Sequence, residues 1–401
     1  STLFPYTTLF RSRIELYLIR SVGKWLWRPL LVVVGLGSIL VIFVSFTAPG
    51  RTGFHTALFV TQVLDVGPKP QSWFTGEPQR QEVSYPQATG TGLADIYRIP
   101  DGRQRAAVLI FLGANAAGRD DPDVLNLGNA LARAGFVTMF HWSPTMALRQ
   151  NIDPDEIDNL VWAFKYLKSQ DYVVGDRVGM GGFCVGAAFA LVASADPRIR
   201  DEVLFLNSFG SYFDARDLLL QISSRSRIYE GQSTPWDVDQ LTFKVFANEL
   251  IETIHDPREQ KVLRAVYMEI GQSTQADMGS LSPHSQQVSE LLDGTTLQRA
   301  EEIYESLPEE FQASMRRISP STHVGDIKAR LMIMHDRDDR LVPAAESRRL
   351  AESVKHRGDY RYTEVLAFEH VRPGSEGGVW ELVKEGAKLY RHMYGIIRTS
   401  K

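Results

Sequence analysis

The spacing of hydrophobic residues changes character several times along the chain, and each change predicts a different kind of element. Pro29–Ala48 is an uninterrupted charge-free run. About 20 such residues are enough to cross a bilayer as one helix, so a single membrane span is expected there. Residues 49–79 read as a connecting segment, with a short helix over Ala57–Leu64 ended by Gly67 and Pro68. Apolar runs of strand length then alternate with amphipathic ones. Arg80–Gln87 and Leu93–Ile99 read as strands around a Gly-rich turn, and Ala106–Leu112 is continuously apolar, as in a parallel strand buried on both faces. Asp121–Ala134 carries Leu125, Leu127 and Leu131 on one helical face. Phe136–Phe140 is a strand, and Asp153–Gln170 a helix opened by Asp153-Pro154. The next strand, with Val178 and Met180, runs into an Ala-rich helix, and Val203–Leu206 is one more strand. Strands separated by helices at this spacing predict right-handed crossovers and a mostly parallel sheet.

The alternation stops at residue 211. From there to residue 322 no strand-like run is read. Thr234-Pro235, Asp256-Pro257 and Ser282-Pro283 each put a capping side chain before a Pro at the first helical position, and Leu307-Pro308 opens another helix without the cap. Val238, Leu241, Val245 and Val262, Val266, Ile270 recur at helical spacing. An insertion this long, against the usual two to six residues of such a connection, is expected to cap the crevice at the sheet's C-terminal edge. A docking surface for a partner or the membrane is the competing reading. The sheet resumes with strands at Arg330–His335 and Tyr362–Phe368, and a helix from Val379 to about Ile396 closes the domain with Trp380, Leu382, Val383, Leu389 and Tyr390. The core is thus read in two parts, 80–210 and 323–401, around the insertion at 211–322.

Charge adds orientation to the N-terminal span. Arg13, Arg20, Lys24 and Arg28 precede it while only Arg51 and Lys69 follow closely, and Trp25 and Trp27 stand at the expected interface. That asymmetry predicts a cytoplasmic tail over residues 1–28 and an extracytoplasmic catalytic domain. A cleaved signal peptide fits less well, because Phe46 interrupts the small-x-small exit, and a buried helix is the remaining alternative. Residues 1–12 connect to no later pattern and read as a translated sequencing-adaptor remnant. The net charge of −4 and the scattered basic residues give no nucleic-acid signature. One cysteine excludes an internal disulfide and a Cys-based zinc site, and none of the nine histidines forms a ligand pair. No metal or cofactor is expected, and the oligomeric state is not legible.

The candidate chemistry centres on Gly182-Phe183-Cys184-Val185-Gly186, between the strand with Met180 and the Ala-rich helix. A sharp strand-to-helix turn needs Gly182 and Gly186 bare, and it lifts Cys184 above the sheet as a nucleophile. A structural cysteine in a Gly-rich turn is the bland alternative. The helix N-terminus behind Cys184 and a neighbouring His predict a favoured thiolate. After the strand at Arg330–His335 comes an acidic turn ahead of Val342-Pro343. That turn holds Asp339, with Asp336 and Asp338 nearby, and His370 lies in the loop leaving the last strand. Backbone N–H groups of Val185 and Ala114 are the expected oxyanion donors.

This order of elements and residues resembles the α/β-hydrolase superfamily, and the Gly-x-Cys-x-Gly elbow is similar to that of dienelactone hydrolases. The resemblance covers about residues 80–396 outside the insertion. It implies a Cys184, Asp339, His370 triad and hydrolysis of an ester or lactone through a thioester acyl-enzyme, with a small-molecule substrate. That family has a Glu beside the oxyanion loop where Leu112-Gly113-Ala114-Asn115 offers no acid, so a broader esterase is expected. Acyl transfer and a non-catalytic, membrane-tethered binding module are the alternatives.

Overall fold

In the computed structural model, residues 31–64, 69–114, 118–268, 278–366 and 378–400 are described. The chain divides into two compact units, Ser1–His55 and Thr56–Lys401. Within the first, helix α1 (Leu31–Phe46) keeps its apolar side chains exposed, among them Leu31, Val33, Leu36, Ile39 and Phe46. The Thr47 hydroxyl donates to the Phe43 carbonyl at 2.8 Å and accepts from Gly50 N at 3.0 Å, so one helix ends and α2 (Ala48–Val63) begins. The expected span is therefore broken at Thr47, and Pro29 and Leu30 lie outside the described residues. Among the described residues no single helix is long and apolar enough to cross a membrane; α1 and α2 reach that length and composition only as a bent pair.

The second unit is built on a sheet whose central strands are apolar without alternation, which suits a sheet covered on both faces. After α3 (Gln71–Phe74) come β1 (Gln79–Pro86), β2 (Thr91–Arg98) and β3 (Arg105–Phe111), then α4 (Pro122–Ala134), β4 (Phe136–Trp142), α5 (Glu156–Lys168), β5 (Val173–Phe183), α6 (Val185–Ser194) and β6 (Phe205–Phe209). The insertion holds α7 (Ala215–Ser223), β7 (Ser226–Tyr229), β8 (Gln232–Pro235), α8 (Gln240–Glu252), α9 (Pro257–Tyr267), α10 (Pro283–Asp293), α11 (Leu297–Ser306), α12 (Glu309–Ile318) and α13 (Pro320–His323). Then β9 (Arg330–Asp336), α14 (Ala344–Ser353), β10 (Tyr360–Val365) and α15 (Gly378–Ile397) complete the unit. Eight strands lie in the order β1-β2-β4-β3-β5-β6-β9-β10, and β2 alone runs against its neighbours. Helices α4 and α15 cover one face and α5, α6 and α14 the other. This is an α/β-hydrolase fold with a mostly parallel sheet.

Two sequence expectations need correction. Thr234-Pro235 does not open a helix: it ends β8 of a two-stranded hairpin, and α8 starts five residues later, where the Asp239 carboxylate accepts from Leu241 N at 2.8 Å. The hairpin escapes a sequence reading because each strand has only four residues. In α15, Leu389, Met393 and Ile396 are buried, whereas Trp380 and Val383 face solvent rather than the core. The base of the insertion is laced shut. Tyr212 Oη donates to the Ile318 carbonyl at 3.1 Å, Ala215 N to Ser319 Oγ at 2.9 Å and Ser321 N to the Phe213 carbonyl at 2.9 Å. Bringing the two ends together in this way makes a long insertion tolerable, because loop-closure entropy grows only slowly with length.

Candidate active site

The turn between β5 and α6 is a single residue. Cys184 occupies it at φ 51° and ψ −128°, a region that costs a non-glycine residue about 1–3 kcal/mol. The turn closes only because its flanks are bare. A Cβ on Gly182 would stand 2.5 Å from the Gly186 carbonyl carbon, and one on Gly186 would stand 2.2 Å from the Phe111 carbonyl oxygen. Gly113, at φ 64° just after β3, is equally tight: its Cβ would meet Gly186 N at 2.6 Å. The loop after β3, the elbow and α6 thus pack backbone against backbone, and Ala114 shares a cavity wall with Cys184 and Val185.

Asp339 follows β9 in a turn that holds its side chain from several sides. Oδ1 accepts from Leu341 N at 2.7 Å and Val342 N at 3.1 Å, and Oδ2 lies 3.4 Å from His335 Nε2. His335 is fully buried. Its Nε2 donates to the Val342 carbonyl at 3.0 Å, which leaves Nδ1 to accept from Ser347 Oγ at 2.6 Å. Both ring nitrogens are engaged, so His335 braces the turn and is not free to act on Cys184. Gly210 makes the room between acid and elbow: a Cβ there would stand 3.3 Å from Asp339 Oδ2 and 3.9 Å from Cys184 N. Asp336 ends β9 half-buried, and Asp338 is exposed, its N–H donating to Asp336 Oδ1 at 3.0 Å. His370 lies outside the described residues.

Three side chains of the insertion hold the backbone of the acid turn. Arg227 donates to the carbonyl of Asp339 at 3.3 Å, Trp236 Nε1 to that of Arg340 at 3.2 Å and Thr242 Oγ1 to that of Leu341 at 2.9 Å. Three consecutive acceptors are thereby satisfied by β7, by the residue following β8 and by α8.

The state of the thiol differs from the expected thiolate. Burial, then the Asp339 carboxylate, push the Cys184 thiol up to about 12, with Asp239 adding to the rise and the Val185 N–H opposing it. The helix N-terminus is present as expected, but desolvation of the charged sulfur outweighs it. Among the described groups Cys184 is therefore held as a neutral thiol.

Above it lies a cavity of about 450 Å³, within the range of small-molecule sites. The sheet side supplies Leu112, Phe183, Cys184 and Val185. Leu218, Leu219 and Ile222 of α7, Leu241, Val245 and Phe246 of α8, and Phe311, Met315 and Ile318 of α12 supply much of a mostly apolar wall, whose polar members are Asp121, Asp123, Tyr212, Thr242 and Glu249. Sequence reasoning missed Gly210, Tyr212 and Glu249, which also bear on this space. Tyr212 is fully buried and its phenol is held neutral chiefly by that burial. No group of metal-binding residues occurs among the described residues.

The sequence profile of the Dienelactone hydrolase family matches residues 96–211, from the end of β2 through the elbow to the first residue after Gly210. A probable 2-oxo-3-(5-oxofuran-2-ylidene)propanoate lactonase of Bradyrhizobium sp. is 29% identical over 127 residues, a match covering 26% of this chain and 51% of that protein. The chain thus spans about half the length of this curated relative. Among solved structures, an esterase of Pyrobaculum calidifontis aligns over 91% of this chain and 97% of its own at 13% identity, with a TM-score of 0.45. A dienelactone hydrolase-like promiscuous phosphotriesterase from metagenomic libraries aligns over 81% and 99% at 12% identity, with a TM-score of 0.42. The chain carries an α/β-hydrolase fold whose core region, residues 96–211, is similar to the dienelactone hydrolase family.

Proposed function

We propose that this chain hydrolyses carboxylic ester or lactone bonds through an acyl-enzyme formed on Cys184. The observation that carries the reading is the elbow: the only cysteine of the sequence is held in a strained strand-to-helix turn at the floor of an apolar cavity, with Asp339 beside it. A residue is kept in such a conformation where its surroundings over-determine it, which is common at reactive sites. The family profile over the elbow and the lactonase name of the relative favour the ester and lactone class.

In this mechanism the resting sulfur is a thiol, so a base must take its proton as Sγ attacks the carbonyl carbon. His370 is assigned that role, with Asp339 orienting the imidazole and stabilising the imidazolium. The oxygen that becomes negative is held by the N–H groups of Val185 and Ala114, each such donor being worth about 2.7–4 kcal/mol at sites of this kind. As the tetrahedral centre collapses, the carbon–oxygen bond to the leaving group breaks and the imidazolium returns the proton to the departing oxygen. Water then attacks the thioester by the same route and releases the acid. The insertion acts as a cap that excludes bulk water. Membrane attachment through Pro29–Ala48 is part of the same reading, supported by the charge-free run and the exposed apolar side chains of α1.

The test is turnover of p-nitrophenyl acetate and butyrate by the full chain beside Cys184→Ala and Cys184→Ser. Activity lost in the Ala variant, and lost in step with iodoacetamide labelling of the wild type, is the expected result. Turnover that survives in Cys184→Ala would remove the cysteine from the mechanism.

A further inference from the structure

The mostly apolar cavity has one acid on its insertion side, while Asp121 and Asp123 at the start of α4 line it from the core side. Glu249 of α8 lines the same space as Cys184. Its Oε1 accepts from Ile152 N at 2.6 Å, which ties α8 to the loop before α5, while Oε2 makes no hydrogen bond among the described residues. Burial pushes this carboxyl up to about 8, opposed by the Ile152 N–H and reinforced by Glu252 and Asp153. The titratable groups facing it are Glu252 one turn along α8, Asp153 ahead of α5 and Tyr212 from the far side of the cavity. Arg264 of α9 donates to Asn248 Oδ1 at 2.7 Å and to Glu252 Oε1 at 3.5 Å. At neutral pH Oε2 is therefore a hydroxyl donor on a residue that lines a mostly apolar cavity.

We propose that Glu249 is a specificity-determining residue of this cavity, donating a hydrogen bond from Oε2 to an acceptor oxygen on an otherwise apolar substrate. The inference rests on the hydrolase reading of the same cavity and narrows it: the substrate is an uncharged ester or lactone with a large hydrocarbon part and a second oxygen away from the scissile bond. A charged substrate group set against the leucine, valine and phenylalanine side chains around Glu249 would lose its hydration, which is costly. A lone ether or carbonyl oxygen meets a donor. Above the titration of Glu249 the donor becomes a carboxylate that repels the same oxygen.

The experiment compares p-nitrophenyl octanoate with p-nitrophenyl 6-methoxyhexanoate, which replaces a chain carbon by an ether oxygen, in the full-length wild type, Glu249→Gln and Glu249→Leu. The quantity read is the ratio of the two kcat/KM values from pH 6 to 9.5. Within one protein, titration of the nucleophile and base cancels from that ratio. In the wild type the ratio should fall above about pH 8, whereas in Glu249→Gln it should stay level, because the amide donates throughout. In Glu249→Leu it should be about fivefold to tenfold lower at pH 7, the worth of one hydrogen bond. A ratio equal in all three proteins, or one that is independent of pH in the wild type, overturns the assignment. If the wild type turns over neither ester, the hydrolase reading fails on its own account. The assignment is then read from displacement of bound Nile red by the corresponding methyl esters, with the same ratios deciding.

Discussion

The neutral thiol yields a quantitative expectation for Cys184. Its ionisation is displaced from 9.0 to about 12 by burial and by Asp339, so at neutral pH the thiolate fraction falls about a thousandfold below that of an unperturbed cysteine. The perturbation is pH itself, and the assay is iodoacetamide labelling of the native full chain followed by intact mass. Burial alone slows a reagent by a constant factor, so the diagnostic quantity is the slope. The labelling rate should rise about tenfold per pH unit without levelling off up to pH 10. In Asp339→Asn the whole line should move upward, because the second-largest cause of the shift has been removed. A plateau reached below pH 9 in the wild type would refute the reasoning, since the sulfur would then already be a thiolate with its proton on another group.

Three further outcomes follow from geometry described above. Thr242→Val keeps the side-chain shape but leaves the Leu341 carbonyl without its donor; urea unfolding should show a loss of about 1–3 kcal/mol, and ester turnover should fall in kcat more than in KM as the acid turn loosens. A shift confined to KM would count against that clamp. His392 is buried, donates from Nε2 to Asn207 Oδ1 at 2.9 Å and accepts on Nδ1 from Thr363 Oγ1, and its pKa is pushed down to about 3, chiefly by burial. The unfolded chain therefore binds a proton that the fold refuses. Stability from this residue is full above its ordinary 6.5 and drains as pH falls toward 3, so the urea midpoint should drop more between pH 7 and 4.5 in the wild type than in His392→Gln. Gly186→Ala places a Cβ 2.2 Å from the Phe111 carbonyl oxygen; a cooperative melt close to that of the wild type would contradict the close packing assigned to the elbow.

What could be read from the sequence was what short-range chemistry dictates. The elbow was legible because Gly182 and Gly186 have no alternative at a one-residue turn, and Asp339 because an apolar strand, an acidic turn and Val342-Pro343 follow in order. The cap-and-proline pairs at Asp256-Pro257 and Ser282-Pro283 do open α9 and α10, where the cap side chains accept from Arg258 N and Ser285 N. Thr234-Pro235 has the same local signature and closes a hairpin instead, because Arg225 to Trp236 is paired across a tight turn that no local pattern announces. The thiol was misjudged for a related reason. A helix N-terminus is visible in the sequence, whereas the burial and the carboxylate that outweigh it belong to the folded chain. Glu249 gave no signal at all, since its position at Cys184's cavity depends on how α8 lies over a sheet strand some sixty residues earlier. His370 falls outside the described residues.

The hydrogen bonds from Arg227, Trp236 and Thr242 to three consecutive carbonyls also constrain how this protein can change over generations. An inserted segment that merely shaded a reactive crevice could be trimmed by a single deletion. Here the deletion would also strip the turn that carries Asp339 of its backbone partners, so a shorter descendant needs replacement donors before the segment goes. Loss and compensation are separate genetic events, and the lineage passes through a weakened intermediate if they come in the wrong order. The segment is thereby ratcheted in place, and a designer seeking a smaller protein should rebuild those three contacts before cutting.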